Sequence, residues 1–202
     1  MGQAPAQTLG DAPRGVVGPN AVIQLANALG EMRGADEARK FFVRAGFPSL
    51  FGNPPADMID EDIPAALLRM LWDVFPAGEA SEIARDAGRR TADYVIANRI
   101  PAIARTTMSV LPTGLSARML LKAIHRNAWT FAGSGTVKVG ARPQFLISIR
   151  NTPLTMPDCA WHTAVFEKLF QRLVTPVATV RNTLCCWSGA QDCRFELKLS
   201  RK

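Results

Sequence analysis

The sequence has no apolar run approaching the roughly 18 residues that a membrane-spanning helix requires. Residues 1–18 are small and rich in proline and glycine, and they lack the apolar centre of a secretion signal. The basic residues are scattered, with no basic tail and no nucleic-acid recognition motif. We therefore expect a cytoplasmic protein that neither spans a membrane nor binds nucleic acid, and whose residues 1–18 are disordered.

Motifs for redox cofactors are also missing. A β-rich run, not a helix, follows Gly133-Ser-Gly135, so these glycines are not a dinucleotide-binding fingerprint. The four cysteines lack the spacing of a ferredoxin-type iron–sulfur cluster. The sequence therefore predicts no NAD or flavin site, and it nominates no catalytic residue.

Arginine dominates the charge of the chain. The 202 residues carry a formal net charge of +7, with 18 arginines and 6 lysines. The planar guanidinium group is suited to binding a carboxylate or a phosphate. We therefore expect the partner to be an acidic ligand or an acidic protein surface.

All four cysteines lie in the C-terminal part of the chain. Cys185 and Cys193 flank Gly189 symmetrically, which is the arrangement of a tight turn between two strand ends. Cys159 stands at the head of the preceding helix. Three thiolates from three elements can meet at a tetrahedral ion such as zinc, whose fourth ligand is not evident. In a reducing cytosol, clustered cysteines favour a metal site or simple burial over disulfides.

The periodicity of apolar residues predicts a run of helices followed by the order ββαββ. One helix opens at Asn20, and others are predicted over residues 35–45, 59–74, 79–98 and 114–129. Strands are predicted over residues 136–139, 145–149, 178–187 and 193–199, as two hairpins around the Cys159 helix. This order favours an α+β fold with helices packed on an antiparallel sheet. We expect a helical extension over residues 19–78 and a ligand-binding domain over residues 79–202.

Several stretches resemble the vinyl-4-reductase domain family. The wider family signature consists of Cys159, Cys185, Gly189, Cys193, Phe195 and Leu197. Three stretches resemble the branch of the family that serves bacteriochlorophyll biosynthesis: Asn98-Arg-Ile-Pro101, Leu111-Pro112 and Ala128-Trp-Thr-Phe-Ala-Gly-Ser-Gly135. The resemblance implies a small-molecule-binding α+β fold that is distantly similar to heme–nitric-oxide-binding domains.

Sensor members of the wider family bind zinc through three cysteines and a glutamate. The resemblance places the three cysteines at Cys159, Cys185 and Cys193, whereas the glutamate position holds Asn182. Four alternatives remain: water is the fourth ligand, Cys186 or His162 replaces the glutamate, or the metal is absent and the thiols are buried as small apolar groups. If zinc is bound, its expected role is structural.

The family name implies reduction of a vinyl group on a chlorophyll precursor, but the residues provide no redox motif. Binding of the macrocycle is better supported, because the helix at 114–129 presents cations at helical spacing beside aromatic residues. The predicted ligand-binding residues are Arg99, Arg105, Arg118, Lys122, His125, Arg126, Trp129 and Phe131. The alternative interpretation is that the cations lie on an ordinary solvent-exposed helix face, that the aromatic residues belong to the core and that the histidines have structural roles.

The expected function is therefore that of a carrier for a magnesium porphyrin or related chlorophyll precursor, which assists neighbouring enzymes of bacteriochlorophyll biosynthesis. The alternative function is a reductase of the 8-vinyl (4-vinyl) group of divinyl (proto)chlorophyllide. Homodimerisation through the N-terminal helices and a location peripheral to the photosynthetic membrane are further expectations.

Overall fold

The computed structural model describes residues 15–199. Residues 1–14 of the segment predicted to be disordered lie outside this range. Directly after them, strand β1 (Val16–Val17) pairs antiparallel with strand β2 (Ile59–Asp60). The side chain of Val17 is fully buried, so this short pair joins the start of the described chain to the core.

Eight α-helices occur within residues 15–199. They are α1 (Asn20–Arg33), α2 (Ala35–Arg44), α3 (Asp62–Val74), α4 (Ala77–Asn98), α5 (Ala102–Val110), α6 (Thr113–Arg126), α7 (Trp129–Ala132) and α8 (Ala160–Leu173). Pro76, Pro101 and Pro112, each in an extended conformation, directly precede α4, α5 and α6. Proline cannot continue a preceding helix, so these residues separate the central helices.

The main sheet contains β3 (Thr136–Gly140), β4 (Phe145–Arg150), β5 (Thr179–Leu184) and β6 (Cys193–Lys198). Its strand order is β3-β4-β6-β5, and every pairing is antiparallel. The two predicted hairpins are therefore adjacent in one sheet, with α8 between them in sequence. This arrangement confirms the predicted α+β fold.

Helix α8 lies at the centre of the molecule. Its Phe166 ring packs edge-on against Phe195 of β6, with ring centroids 5.1 Å apart. On its other side α8 contacts α4, where Gly88 lies against the Trp161 carbonyl. Helix α4 in turn packs on α1. The order of layers is therefore sheet, α8, α4 and α1, which explains why α8 is apolar around most of its circumference.

Three details differ from the expectations. Residues 59–60 of a predicted helix form β2, because this segment pairs with β1 before α3 begins. The helix predicted over residues 114–129 ends at Arg126, and α7 follows as a separate turn. The stretch between Pro101 and Pro112, for which no helix is predicted, forms α5. The division into an extension and a domain at residue 78 stays a prediction; α1 and α4 pack together across it.

Candidate functional site

The three cysteines predicted to bind a metal meet at one buried corner, here called the thiol corner (Cys159, Cys185 and Cys193). Their sulfur atoms all lie within 4.8 Å of one another, and the sulfurs of Cys159 and Cys185 are 3.3 Å apart. Cys185 follows β5, Cys193 begins β6, and Cys159 precedes α8 in a turn with positive φ. All three residues are buried, so their convergence results from the core packing of α8 on the second hairpin.

Hydrogen bonds within the thiol corner favour a thiolate. The pKa of Cys185 is lowered by hydrogen bonds from the thiols of Cys159 and Cys193, and also by the backbone N–H groups of Trp187 and Ser188. The pKa of Cys159 is raised by its hydrogen bonds to the two other sulfurs and by burial. A cation bound between the three sulfurs would neutralise this negative charge. Thiolates are preferred zinc ligands, so the three converging sulfurs could hold such an ion.

None of the side chains considered as a fourth ligand belongs to the thiol corner. The Asn182 amide donates to the carbonyls of Leu184 and Arg194, at 2.8 and 3.1 Å, and so ties together the bulge between β5 and β6. Within residues 15–199, the only group of at least three histidine, cysteine or acidic side chains close enough to hold a metal is the thiol corner. Cys186 and His162 are not members of that group. The described residues therefore offer three sulfur ligands and leave a fourth position open.

The predicted cations of α6 form an exposed stripe. Arg118, Lys122 and Arg126 are all exposed, at the four-residue spacing of one helix face. His125, next to the stripe, bonds through Nδ1 to the Val137 carbonyl at 3.0 Å and so joins α6 to β3. His125 therefore has a structural contact, whereas the three cations are directed toward solvent.

A small pocket lies between the end of α4, helix α5 and helix α6. Its volume is about 210 Å³, and its wall is formed by Arg99, Ile100, Pro101, Ala104, Met108, Met119, Leu120, Ala123 and Asn127. Of the eight predicted ligand-binding residues, only Arg99 contributes to this wall. The sequence interpretation missed the apolar wall because it did not recognise α5; the spacing of Ala104 and Met108 after Pro101 was the available signal.

The remaining predicted residues lie elsewhere. Arg105 is half-buried on α5, and Trp129 is half-buried at the start of α7. Phe131 packs against Phe166 with a centroid distance of 5.6 Å and against His162 at 6.2 Å. Phe131 thus belongs to an aromatic cluster that fills the space between α8 and the sheet. His162, at its centre, donates from Nε2 to the Phe131 carbonyl over 3.1 Å.

The sequence also carries a charge pattern on which none of the expectations above depends. No aspartate or glutamate occurs between Asp93 and Asp158. The same stretch contains eight cations: Arg99, Arg105, Arg118, Lys122, Arg126, Lys138, Arg142 and Arg150. In the part of the chain that the structure describes, none of these eight forms an ion pair. Helices α5 and α6 and the first hairpin therefore form a cationic region without compensating acids.

These features define an α+β protein with a buried thiol corner and a largely apolar pocket that has Arg99 in its wall. No family model matches the chain. The bacteriochlorophyll synthase 23 kDa chain of Cereibacter sphaeroides is 42% identical over 187 residues, which cover 90% of this chain and 89% of that protein. The protein of the same name from Rhodobacter capsulatus is 38% identical over 204 residues, covering 97% and 92%.

The chain belongs to the bacteriochlorophyll synthase 23 kDa chain family. This confirms the bacteriochlorophyll-biosynthesis branch identified from the sequence and assigns the protein a role in that pathway. Among solved structures, an H-NOX protein from S. oneidensis in its Fe(II)NO ligation state matches with a TM-score of 0.47 and 13% identity. That match covers 90% of this chain and 98% of the H-NOX chain.

Proposed function

We propose that the protein binds a magnesium porphyrin or related chlorophyll precursor and carries it between enzymes of bacteriochlorophyll biosynthesis. The observation that carries this proposal is the apolar pocket under α5, which opens within a region that contains cations and no acids. A chlorophyll precursor is a flat apolar disc with carboxylate groups at its edge. A receptor for it requires an apolar wall and a cationic rim.

Helices α5 and α6 contribute apolar side chains to the wall of the pocket, and Arg99, directly after α4, contributes a cation. Met108 and Met119 face it from α5 and α6, and methionine adapts readily to an irregular or flat surface. Arg99 lies in its wall, and no ion pair of the described chain engages the Arg99 guanidinium. Arg99 would therefore bind a carboxylate without first breaking an existing salt bridge, and the α6 stripe offers further cations nearby.

The volume of about 210 Å³ is below the roughly 300–1,000 Å³ typical of small-molecule sites, so loading requires α5 to move. Helix α5 is suited to such a movement because Met108 is its only buried residue. Pro101 and Pro112 delimit it as a separate unit. In this proposal the macrocycle enters edge-first between Met108 and Met119, and α5 shifts outward to admit it.

In the same proposal the thiol corner binds zinc in a structural role. Cys159, Cys185 and Cys193 would hold the ion, which when bound would neutralise the thiolates and join α8 to the second hairpin. A small molecule such as water would complete the coordination. The relatives are named as one chain of a synthase, which supports action beside other proteins of the pathway. Homodimerisation through the N-terminal helices stays a prediction.

Titration with protoporphyrin, its magnesium form and chlorophyllides, followed by quenching of tryptophan fluorescence, tests the carrier proposal. We expect saturable binding at one site per chain. Arg99→Ala should weaken it about five- to tenfold, the effect of losing one charge-assisted contact at a partly exposed site. Arg44→Ala, which removes an exposed arginine from α2, is the matched control and should leave the Kd unchanged.

Two outcomes would contradict the proposal. Equal affinities for the wild type, Arg99→Ala and Met119→Ala would exclude the pocket as the binding site. Conversion of a divinyl substrate by the purified protein with reduced nicotinamide or ferredoxin, seen as an absorbance shift, would instead establish the alternative vinyl reductase. A carrier leaves that spectrum unchanged apart from the binding shift.

A further inference from the structure

Helix α5 carries an apolar surface that nothing in the described chain covers. Ile103 and Val110 are 82% and 77% exposed, and Leu115 at the start of α6 is 48% exposed. Ile103 and Val110 are seven residues apart and therefore share one helix face. We call these three side chains the α5 wedge. Large aliphatic side chains this exposed are unfavourable in water, at roughly 25 cal/mol per Å² of apolar surface.

Cations border the α5 wedge directly. Leu115 stands three residues before Arg118 and seven before Lys122, so it shares their exposed stripe on α6, which continues to Arg126. Acidic residues are absent from this part of the sequence, between Asp93 and Asp158. Leu115, the member of the wedge on α6, thus stands at the start of a cationic helix face.

We propose that the α5 wedge docks the protein on an anionic lipid bilayer, with Ile103 and Val110 inserted at the level of the headgroups and acyl chains. Apolar side chains flanked by arginine and lysine are the features of an interfacial membrane-binding helix. Each cation near an anionic surface contributes about 1 kcal/mol, and the contributions add across a stripe. None of the described helices is long and apolar enough to cross a bilayer, so binding would be confined to one leaflet.

The high exposure of the wedge favours a bilayer over an acidic protein. Ile103 and Val110 are largely exposed on a nine-residue helix, and a fluid lipid surface accommodates isolated apolar side chains without a matching cavity. A protein partner requires a complementary pocket for each anchoring side chain. The proposal also differs from pigment binding, because the wedge residues do not line the pocket.

Co-sedimentation of the pigment-free, full-length protein with vesicles tests the proposal. The protein should partition onto vesicles of phosphatidylglycerol and phosphatidylcholine in equal parts, and at least about tenfold less onto pure phosphatidylcholine. Raising NaCl from about 0.05 M to about 0.5 M should release it, since such salt screens charges beyond a few ångströms. The double variant Ile103→Ser/Val110→Ser should lower partitioning about tenfold without changing porphyrin affinity.

The matched control is the double variant Val43→Ser/Val177→Ser. It replaces Val43 on α2 and Val177 in the turn before β5, whose side chains are 57% and 55% exposed. This control should bind vesicles like the wild type. Equal vesicle binding by wild type, control and wedge variant would overturn the proposal, as would absence of binding to the anionic vesicles. If the wedge variant lost binding to an acidic pathway protein but bound vesicles like the wild type, the wedge would be assigned to a protein interface instead.

Discussion

Glu61 accepts two hydrogen bonds from Ser134, one from the backbone N–H at 2.6 Å and one from the hydroxyl at 2.8 Å. Gly133, just before Ser134, has φ +59°, and a Cβ atom there would collide with the Glu61 carboxylate. The backbone N–H of Gly18 also donates to the Thr130 carbonyl at 2.9 Å. The segment of residues 128–135 therefore links the residues around β1 and β2 to the C-terminal half of the chain through hydrogen bonds.

Replacing Glu61 by alanine should destabilise the protein by about 1–3 kcal/mol, because two hydrogen bonds to a charged acceptor are lost at a partly exposed site. Urea denaturation would measure the change in unfolding free energy. Asp57→Ala, an exposed loop carboxylate without a hydrogen bond, is the control and should change stability by less than about 0.5 kcal/mol. Equal stabilities of the two variants would contradict the anchoring role of Glu61.

The segment of residues 128–135 shows which features can be predicted from local sequence patterns and which contacts cannot. Residues 128–135, together with residues 98–101 and 111–112, indicate a family branch. However, the partner of Ser134 lies 73 positions earlier in the sequence, and no local pattern identifies such a contact. Glu61 was read as part of a helix, whereas it lies in the short link between β2 and α3.

Local patterns succeeded where the determining contacts are near in sequence. The turn around Gly189, with φ +87°, brings Cys185 and Cys193 together as their symmetric spacing predicted. In contrast, no local pattern indicates that Phe131 packs on His162 and Phe166, since the position of α7 relative to α8 depends on tertiary packing; its role as a ligand contact stays a prediction. Helix α5 was not predicted because, with Met108 as its only buried residue, it carries only a weak apolar periodicity.

Gly88→Ala should destabilise the crossing of α4 and α8. A Cβ at this position would lie 2.5 Å from the Trp161 carbonyl oxygen and 3.0 Å from the Ala164 Cβ, so the helices would have to separate. Overpacking of this kind costs about 1–3 kcal/mol and outweighs the gain of up to about 1 kcal/mol from alanine in a helix. Thermal unfolding followed by circular dichroism would record the lower Tm.

Gly78→Ala is the matched control in the same helix. No heavy atom lies within 4 Å of a Cβ built at Gly78, so only the helix preference of alanine applies. This variant should equal or exceed the wild type in stability by up to about 1 kcal/mol. If the Gly88→Ala protein were as stable as the Gly78→Ala protein, the packing of α4 on α8 would not depend on the absence of a side chain at Gly88.

Cys185→Ser should abolish zinc binding and lower the Tm. Cys185 is the thiol whose pKa is lowered by its neighbours, so it is the group most ready to bind a cation at neutral pH. Because the binding free energy of a structural metal adds to folding free energy, metal and stability should be lost together. Elemental analysis of protein produced with added zinc should find about one ion per wild-type chain.

Cys186→Ser tests whether this effect is specific to the thiol corner. Cys186 is the next residue and is half-buried. Its backbone N–H lies 3.3 Å from the Cys193 sulfur, but its own sulfur is not one of the three that lie within 4.8 Å of one another. Its variant should therefore retain both zinc and Tm. A wild-type protein that remains free of zinc, with Cys185→Ser no less stable than Cys186→Ser, would identify the three thiols as ordinary buried side chains.

The buried His162 ring should make the stability depend on pH. Burial lowers the pKa of His162 from 6.5 to about 4, although the hydrogen bond to the Phe131 carbonyl partly opposes the shift. In the unfolded chain the imidazole is protonated below about pH 6.5, whereas in the folded chain it stays neutral until about pH 4. The unfolded state therefore binds more protons within this window. Stability should be complete above about pH 6.5 and should fall by roughly 3 kcal/mol as the pH approaches 4.

Urea denaturation of wild type and His162→Gln between pH 7 and pH 5 would isolate this contribution, because few carboxylates titrate in that range. Glutamine preserves an N–H donor for the Phe131 carbonyl but cannot take up a proton. We expect His162→Gln to be less stable than the wild type at pH 7 and the difference to shrink as the pH falls. A difference that stays constant with pH would show that the neutral His162 ring does not contribute to the pH dependence, and that the aromatic cluster tolerates the charged form.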